Sequence, residues 1–270
     1  MKNIGIIGCG WLGLPLAKSL LKEGYTVYGT TTSAQKLEVL SQAKIKAFNI
    51  ALFEGGITGE IHAFLEPLDV LIINVPPRLR GALKENFVKK ITLLKDAILK
   101  TKCSKIIFAS STAVYGETKG KVTEKTKVNP NTESGRQLVL SEKVFLEETS
   151  LPTVVIRFGG LIGPNRHPAT ILSGRKNLKN GNAPVNLIHL KDCISIIKQC
   201  IQEQWYTQNQ IINAVYPLHP TKKEYYTQEC IQRGIAPPVY EDTNGNDSKK
   251  VVSMVLLNTK KYSFSHNIHT

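Results

Sequence analysis

The 270-residue chain has no run approaching the roughly 20 consecutive apolar residues that cross a bilayer as a helix, no internal repeat and no low-complexity tract. Nor has it a C-x-x-C pair, so nothing indicates a zinc site, and no metal is expected. Its five cysteines, Cys9, Cys103, Cys193, Cys200 and Cys230, are odd in number and suggest no disulfide framework. A reducing cytoplasm is the expected setting. The net charge of +14 lacks concentration: its lysines fall in scattered pairs such as Lys89 with Lys90 and Lys222 with Lys223. With no basic recognition helix or arginine-rich tract, the reading is a solvated lysine-rich surface, with neither nucleic acid nor membrane as partner. An apolar content of 41% is ordinary for a globular chain of one large or two small domains.

Lys2 and the uncharged run from Ile4 to Ala17 have the outline of a secretory signal. Four glycines and Pro15 within that run make a poor apolar helix, and a strand, turn and helix account for it better. From there, short β-branched runs alternate with amphipathic stretches through about residue 160: "NIGIIG", "WLGLPLAKSLLKEG", "YTVYGT", "SAQKLEVLSQA", "IKAFNI". The series continues with "DVLIINV", a helix near Ala82 to Lys100, "SKIIFASS", a helix near Ser134 to Glu148, and "PTVVIRF". Alternation of this kind predicts βαβ units, and continuous apolar strands predict a sheet covered on both faces. On the helix from Ala82, Leu83, Phe87, Ile91, Leu94 and Ile98 fall on one stripe. The expected fold is α/β, a Rossmann-type doubly wound parallel sheet over residues 1–158. A smaller C-terminal α/β lobe over 159–270 carries "VNLIHL", a helix from Asp192 that its carboxylate can cap, "QIINAV", a helix near Thr221 to Arg233, and "KVVSMVLLN".

"IGIIGCGWLG" places Gly8-x-Gly10-x-x-Gly13 directly after a predicted strand and at the start of a predicted helix. Gly8 permits the tight turn, Gly10 lets the backbone approach a pyrophosphate, and Gly13 allows helix and strand to pack closely. Gly8, Gly10, Trp11, Leu12 and Gly13 are therefore candidate cofactor residues, with the pyrophosphate at the positive end of the helix. Pro15 falls in the first turn, where a missing N–H costs little. The second strand ends "YGTTTSAQK", with no carboxylate where an NAD site usually holds the ribose. Thr30, Thr31, Thr32 and Ser33 offer hydroxyls and Lys36 a positive charge, which suit a 2′-phosphate and favour NADP over NAD; Ser33 is also the expected helix cap. Val75, Pro76 and Pro77 close the fourth strand at its carboxyl end, where dinucleotides lie in such sheets.

With "GxGxxG", "SSTAVYG", "RFGGLIGPNR" and "VNLIHLKD" in that order, the chain resembles the extended short-chain dehydrogenase/reductase superfamily, in particular its atypical NAD(P)-dependent epimerase/dehydratase-like branch. The resemblance implies a dinucleotide cofactor and a small, sugar-nucleotide-type substrate between the lobes. It puts Ala109 and Ser110 beside the cofactor, and has Ser111 hydrogen-bond the reacting oxygen. In the superfamily the catalytic Tyr and Lys lie later, on a helix reading "YGxSKxxxE". Matching Gly135 and Glu142 of "NPNTESGRQLVLSE" to that pattern puts Ser134 in the Tyr position and Leu138 in the Lys position. This leaves ordinary proton abstraction without its phenol and ammonium.

Tyr115 and Lys119 of "SSTAVYGETK" have the Tyr-x-x-x-Lys spacing, but on a glycine-flanked segment not expected to be helical. A chain with nine tyrosines and this much lysine produces such a match by chance. Tyr115, with Arg157 at a strand end and Arg166, is placed toward the substrate, and His167 of "GPNRHP" is the candidate replacement acid/base. His189 and Asp192 read as structural, and Cys9 as a loop residue whose oxidation could affect cofactor binding. The alternative to an enzyme is a dinucleotide-binding regulatory or redox-sensing protein without catalysis. A homodimer through the two predicted helices near Ala82–Lys100 and Ser134–Glu148 is what the resemblance implies.

Overall fold

A computed structural model describes residues 2–77, 85–202, 208–241 and 248–269. Seven strands form one parallel sheet: β1 (Asn3–Ile7), β2 (Thr26–Thr31), β3 (Lys46–Asn49), β4 (Val70–Ile73), β5 (Lys105–Ser111), β6 (Thr153–Phe158) and β7 (Gln210–Ala214). Their spatial order is 7-6-5-4-1-2-3, with β1 at the point where the winding reverses. That reversal opens a crevice at the carboxyl ends of β1 and β4, where an α/β sheet of this kind receives ligands. The expected doubly wound sheet is present. "QIINAV" is its seventh strand, although the sequence reading put that run in the C-terminal lobe.

The helices are α1 (Gly13–Lys22), α2 (Gln35–Gln42), α3 (Ile61–Leu65), α4 (Phe87–Ile98), α5 (Glu133–Leu146), α6 (Pro168–Leu172), α7 (Leu190–Ile201) and α8 (Lys222–Gln232). Helix α4 buries Phe87, Ile91, Leu94 and Ile98, the expected stripe; Leu83 lies outside the described residues. Asn86 starts this helix by accepting a hydrogen bond from the Lys89 amide, and Thr132 starts α5 by accepting from Gly135. Ser33 does not cap α2. Its own N–H goes to Thr31 Oγ1 at 3.1 Å, and only its backbone carbonyl serves the helix, accepting from Lys36. Asp192 likewise is no cap: α7 begins two residues earlier, and the carboxylate is buried and turned to the C-terminal segment.

The chain divides into two compact units, but not at one cut after residue 158. The first comprises Met1–Val114, Pro130–Ile156 and Ile194–Ile211, and the second Tyr115–Asn129, Arg157–Cys193 and Ile212–Thr270. In the second unit, strand Gly160–Ile162 pairs with Leu187–His189 and strand Gly120–Val122 with Lys249–Val251, both in parallel. Its core gathers Ile162, Val185, Leu187, Tyr225, Tyr226 and Ile268 among others. Glu124 ties this unit together, accepting from the backbone amides of Asn213, Met254 and Val255.

Candidate functional site

The glycine loop leaves β1 with Gly8 at φ +97°, a left-handed conformation that side chains resist. A Cβ there would stand 2.4 Å from the Asn74 carbonyl oxygen, and one on Gly13 would stand 2.3 Å from that of Gly8. Both glycines are thus required by the chain's own packing. Gly10 is different: it is exposed, and a Cβ on it would meet nothing within 4 Å. Nothing inside the protein demands glycine there, whereas a ligand lying against the backbone would. The loop is held from two strands. Thr30 accepts the Gly8 amide on its hydroxyl (3.1 Å) and the Cys9 amide on its carbonyl (3.0 Å), and Asn74 donates its side-chain amide to the Gly8 carbonyl (3.1 Å). Helix α1 then begins at Leu12, which supplies no side-chain cap, and carries no acidic residue in its first turn. Trp11 is half-buried and Leu12 buried behind this start.

These features fit a dinucleotide pyrophosphate. The positive helix end has no acidic side chain to offset it, and the exposed Gly10 gives an anion room to approach. Cys9 faces the other way. It is buried, its sulfur fills the space where a Cβ on Gly29 would stand, and burial pushes its thiol up to about 12, so the redox role considered from the sequence has no exposed thiolate to act through.

At the end of β2, Thr30 and Thr31 are buried with hydroxyls already serving the loop and Ser33, while Thr32 and Lys36 are exposed and Ser33 half-buried. Val75, Pro76 and Pro77 follow β4, and Val75 lies against the loop at Gly8. Ala109 and Ser110 lie just before β5 ends at Ser111. The Ser110 hydroxyl donates to Glu142 Oε1 at 2.5 Å, a buried carboxylate on α5. Ser111, the next residue and hence on the opposite face, is half-buried. Its oxygen accepts from the Ala113 amide (3.2 Å), a bond that does not consume its own proton. On α5, Ser134 is half-buried and Leu138, one turn on, is buried. Gly135 allows close contact with the Ala113 carbonyl.

The second unit spends Tyr115 and Arg157 internally. Tyr115 ends a 3₁₀ turn (Thr112–Tyr115) and has no exposed surface. Its phenol donates to Asn213 Oδ1 (2.8 Å) and accepts from Arg157 Nη1 (2.9 Å), whose guanidinium also stacks over the ring. Burial raises the phenol's pKa, the reverse of what a base requires. Tyr115 and Arg157 are therefore core groups, not substrate contacts, and the Tyr-x-x-x-Lys spacing at Lys119 has no helix to give it meaning.

After strand Gly160–Ile162 the chain reverses through Gly163-Pro164-Asn165-Arg166, whose first and last residues exchange both backbone hydrogen bonds at 3.0 Å. Proline at the second position and Asn165 at φ +57° make the pattern of a type II turn. The turn delivers exposed Arg166 to a cavity of about 590 Å³ lined also by His167, Thr170, His189 and Arg233. His167, the candidate acid/base, has both ring nitrogens engaged. Nδ1 accepts the Ala169 amide as the cap of α6, and Nε2 sits 2.9 Å from the Tyr225 hydroxyl, which itself donates to the Ile268 carbonyl. One arrangement of protons satisfies all three: neutral imidazole with Nε2–H donating to the phenol. Burial, with nearby Arg233, lowers its pKa to about 4. The site geometry thus makes His167 a fixed wall residue. Buried Glu229, unflagged by sequence, pairs with Arg233 beneath that wall.

Sequence reasoning also missed Asn74 and the Ser110–Glu142 bond. An Asn closing an apolar strand before "VPP" is a visible signal for the first. Nothing local marks the second, which joins residues 32 apart. Among the described residues no group of three or more His, Cys, Asp or Glu could hold a metal ion, and no helix is long and apolar enough to cross a membrane.

Comparison with known proteins agrees with this geometry. The chain is 32% identical over 254 residues to Protein YeeZ of Escherichia coli (strain K12), covering 93% of this chain and 91% of that one. Among solved structures, UDP-N-acetylglucosamine 4-epimerase from Bacillus cereus superposes with a TM-score of 0.79 at 19% identity, over 100% of this chain and 96% of the other. MoeE5 in complex with UDP-glucose and NAD does so with a TM-score of 0.79 at 14% identity, over 99% and 95%. A family model matches residues 4–214, and the chain that folds this glycine loop onto a seven-stranded parallel sheet belongs to the NAD dependent epimerase/dehydratase family.

Proposed function

We propose that the protein is a dinucleotide-dependent enzyme that oxidises or reduces a hydroxyl-bearing carbon of a small anionic substrate of the nucleoside-diphosphate-sugar class. The observation that carries this is Gly10, an exposed glycine that the fold itself does not require, at the uncapped start of α1. Gly8, Gly10, Trp11, Leu12 and Gly13 would hold the pyrophosphate, with Val75, Pro76, Pro77 and Ala109 beside the dinucleotide. When bound, the cofactor supplies hydride acceptance and return. Ser111 donates its remaining proton to the reacting oxygen and orients it; Ser110, held by Glu142, fixes the strand end that presents Ser111. Ser134 occupies the helix position from which a hydroxyl relays a proton, and Leu138 brings no charge to it. In the second unit, Arg166 and Arg233, the latter paired with Glu229, give the cavity its positive charge. His189, kept neutral by burial with its Nδ1 accepting the Lys191 amide, adds an Nε2–H donor, and the set suits a diphosphate. The UDP-sugars named for the structural relatives are the first substrates to test.

At the end of β2, exposed Thr32 and Lys36 and the lack of a carboxylate favour the 2′-phosphate of NADP over a bare ribose. A homodimer through α4 and α5 would rest on exposed Leu99 and Leu140, since the main stripe of α4 is already buried. A second reading, a regulatory protein without turnover, is favoured by Ser134 and Leu138 on α5 in place of a phenol and an ammonium.

Fluorescence titration with NADPH and NADH in parallel tests the cofactor. Micromolar binding that Gly10→Val abolishes supports the reading, and tighter NADH binding ends the NADP preference. Turnover of a UDP-sugar panel that Ser111→Ala lowers by about 100-fold supports the enzyme; cofactor binding without turnover of any sugar nucleotide supports the regulator.

A further inference from the structure

Two fully buried carboxylates of the second unit each bind the C-terminal segment and stand beside a wall of the cationic cavity. Asp192 accepts on Oδ1 from the Tyr262 hydroxyl (3.0 Å) and from the Ser265 amide (2.9 Å) and hydroxyl (3.0 Å), and on Oδ2 from the His266 amide (3.0 Å). This places the His266 ring in a parallel stack on His189, centroids 5.0 Å apart, and His189 lines the cavity. Glu229 pairs through Oε2 with Arg233, a second wall residue, and accepts on Oε1 from His269 Nδ1 (2.9 Å). Tyr225 closes the circuit, donating to the Ile268 carbonyl (2.7 Å) while it meets His167. Neither His266 nor His269 is among the residues lining the cavity.

We propose that the C-terminal segment Tyr262–His269 positions the side walls of this cavity, His266 through its stack on His189 and His269 through the Glu229–Arg233 pair. The two histidines are positioning residues for the anionic part of the substrate. The proposal rests on the reading that the cavity receives that part. A guanidinium and an imidazole directed at one diphosphate lose affinity when their side chains gain freedom, because binding must then order them. By the same linkage, a bound diphosphate holds the segment down.

The test is calorimetric titration of the full chain with UDP-glucose. Arg166→Ala, at the cavity mouth, reports whether binding occurs there. His266→Ala and His269→Ala are expected to weaken binding about five- to tenfold with thermal midpoints close to wild type, since both side chains are about a third exposed. His266→Phe, which keeps a ring on His189, and His269→Gln, whose amide can still donate to Glu229, are expected to restore affinity to within about twofold. Bound UDP-glucose should also slow amide exchange in residues 262–269. Wild-type binding that falls with Arg166→Ala but is unmoved by the alanine variants at 266 and 269 overturns the positioning role and leaves the cavity's assignment standing. If UDP-glucose does not bind, or Arg166→Ala leaves its binding unchanged, the cavity's assignment falls and the proposal with it.

Discussion

Two helix starts in this protein are built in opposite ways. Helix α8 opens with a complete capping box: Thr221 accepts the Glu224 amide, and the Glu224 carboxylate accepts the Thr221 amide and hydroxyl. Helix α1 opens with Leu12, no side-chain cap and no acid in its first turn. A helix leaves its first N–H groups without intrahelical partners. Helix α8 satisfies its own with side chains. At α1 no side chain does so, Pro15 has no N–H, and the Leu14 amide turns back to the Gly10 carbonyl at 3.0 Å. The glycines around α1 divide likewise: Gly8 and Gly13 are required by the chain's own packing, and Gly10 is not. Helices α2 and α3 also start without a side-chain cap, so what sets α1 apart is the glycine loop that precedes it, with Gly10 exposed and open on its Cβ side.

The contrast breaks most sharply at Gly8. Gly8→Ala forces a side chain into a left-handed backbone and against the Asn74 carbonyl, and is expected to cost about 3 kcal/mol or more, read as a fall in the urea midpoint. Gly10→Ala should leave that midpoint within about 0.5 kcal/mol while weakening NADPH at least about tenfold, so a variant that loses stability and binding together would erase the distinction. In the second unit, Glu229→Gln leaves Arg233 without its buried counter-charge, and about 2–4 kcal/mol of stability should go. Thr221→Ala, which dismantles the capping box, should cost about 1 kcal/mol and leave cofactor binding untouched.

A further effect is carried by pH. His167 faces Tyr225, Glu229, Arg233 and His269, and its pKa in the folded protein is lowered from 6.5 to about 4. The unfolded chain takes up this proton from pH 6.5 downward while the folded chain refuses it until about pH 4. Stability therefore falls as pH drops through that window, and His167→Gln should flatten that part of a midpoint-versus-pH curve. An unchanged slope in the variant would place the titration elsewhere.

The glycine loop, the strand and helix alternation and the stripe on α4 were legible because each depends on neighbours in sequence or on one face of one element. The misplacements share a cause. "QIINAV" reads as a strand from its residues, but which sheet it joins is decided by a crossover through α7, and no local pattern encodes that. Ser33 and Asp192 have the composition of caps; the structure assigns Ser33's amide to Thr31 and Asp192's carboxylate to residues some seventy positions on. Tyr115, Arg157 and His167 are chemically versatile side chains, and sequence alone does not show that burial has committed their polar atoms. Ser111 is proposed from its neighbours in "SSTAVYG", whereas Glu142, which holds the adjacent Ser110, has significance only once α5 lies along β5.

All five cysteines are buried and none is in a disulfide. A thiol reagent added to the native protein therefore has no ready target, and each labelling event records a transient opening. Cys9, Cys103 and Cys200 belong to the first unit and Cys193 and Cys230 to the second. The chain thus carries its own clock for each unit, and mass spectrometry of labelled peptides would reveal whether ligands that dock on one unit quieten the breathing of the other.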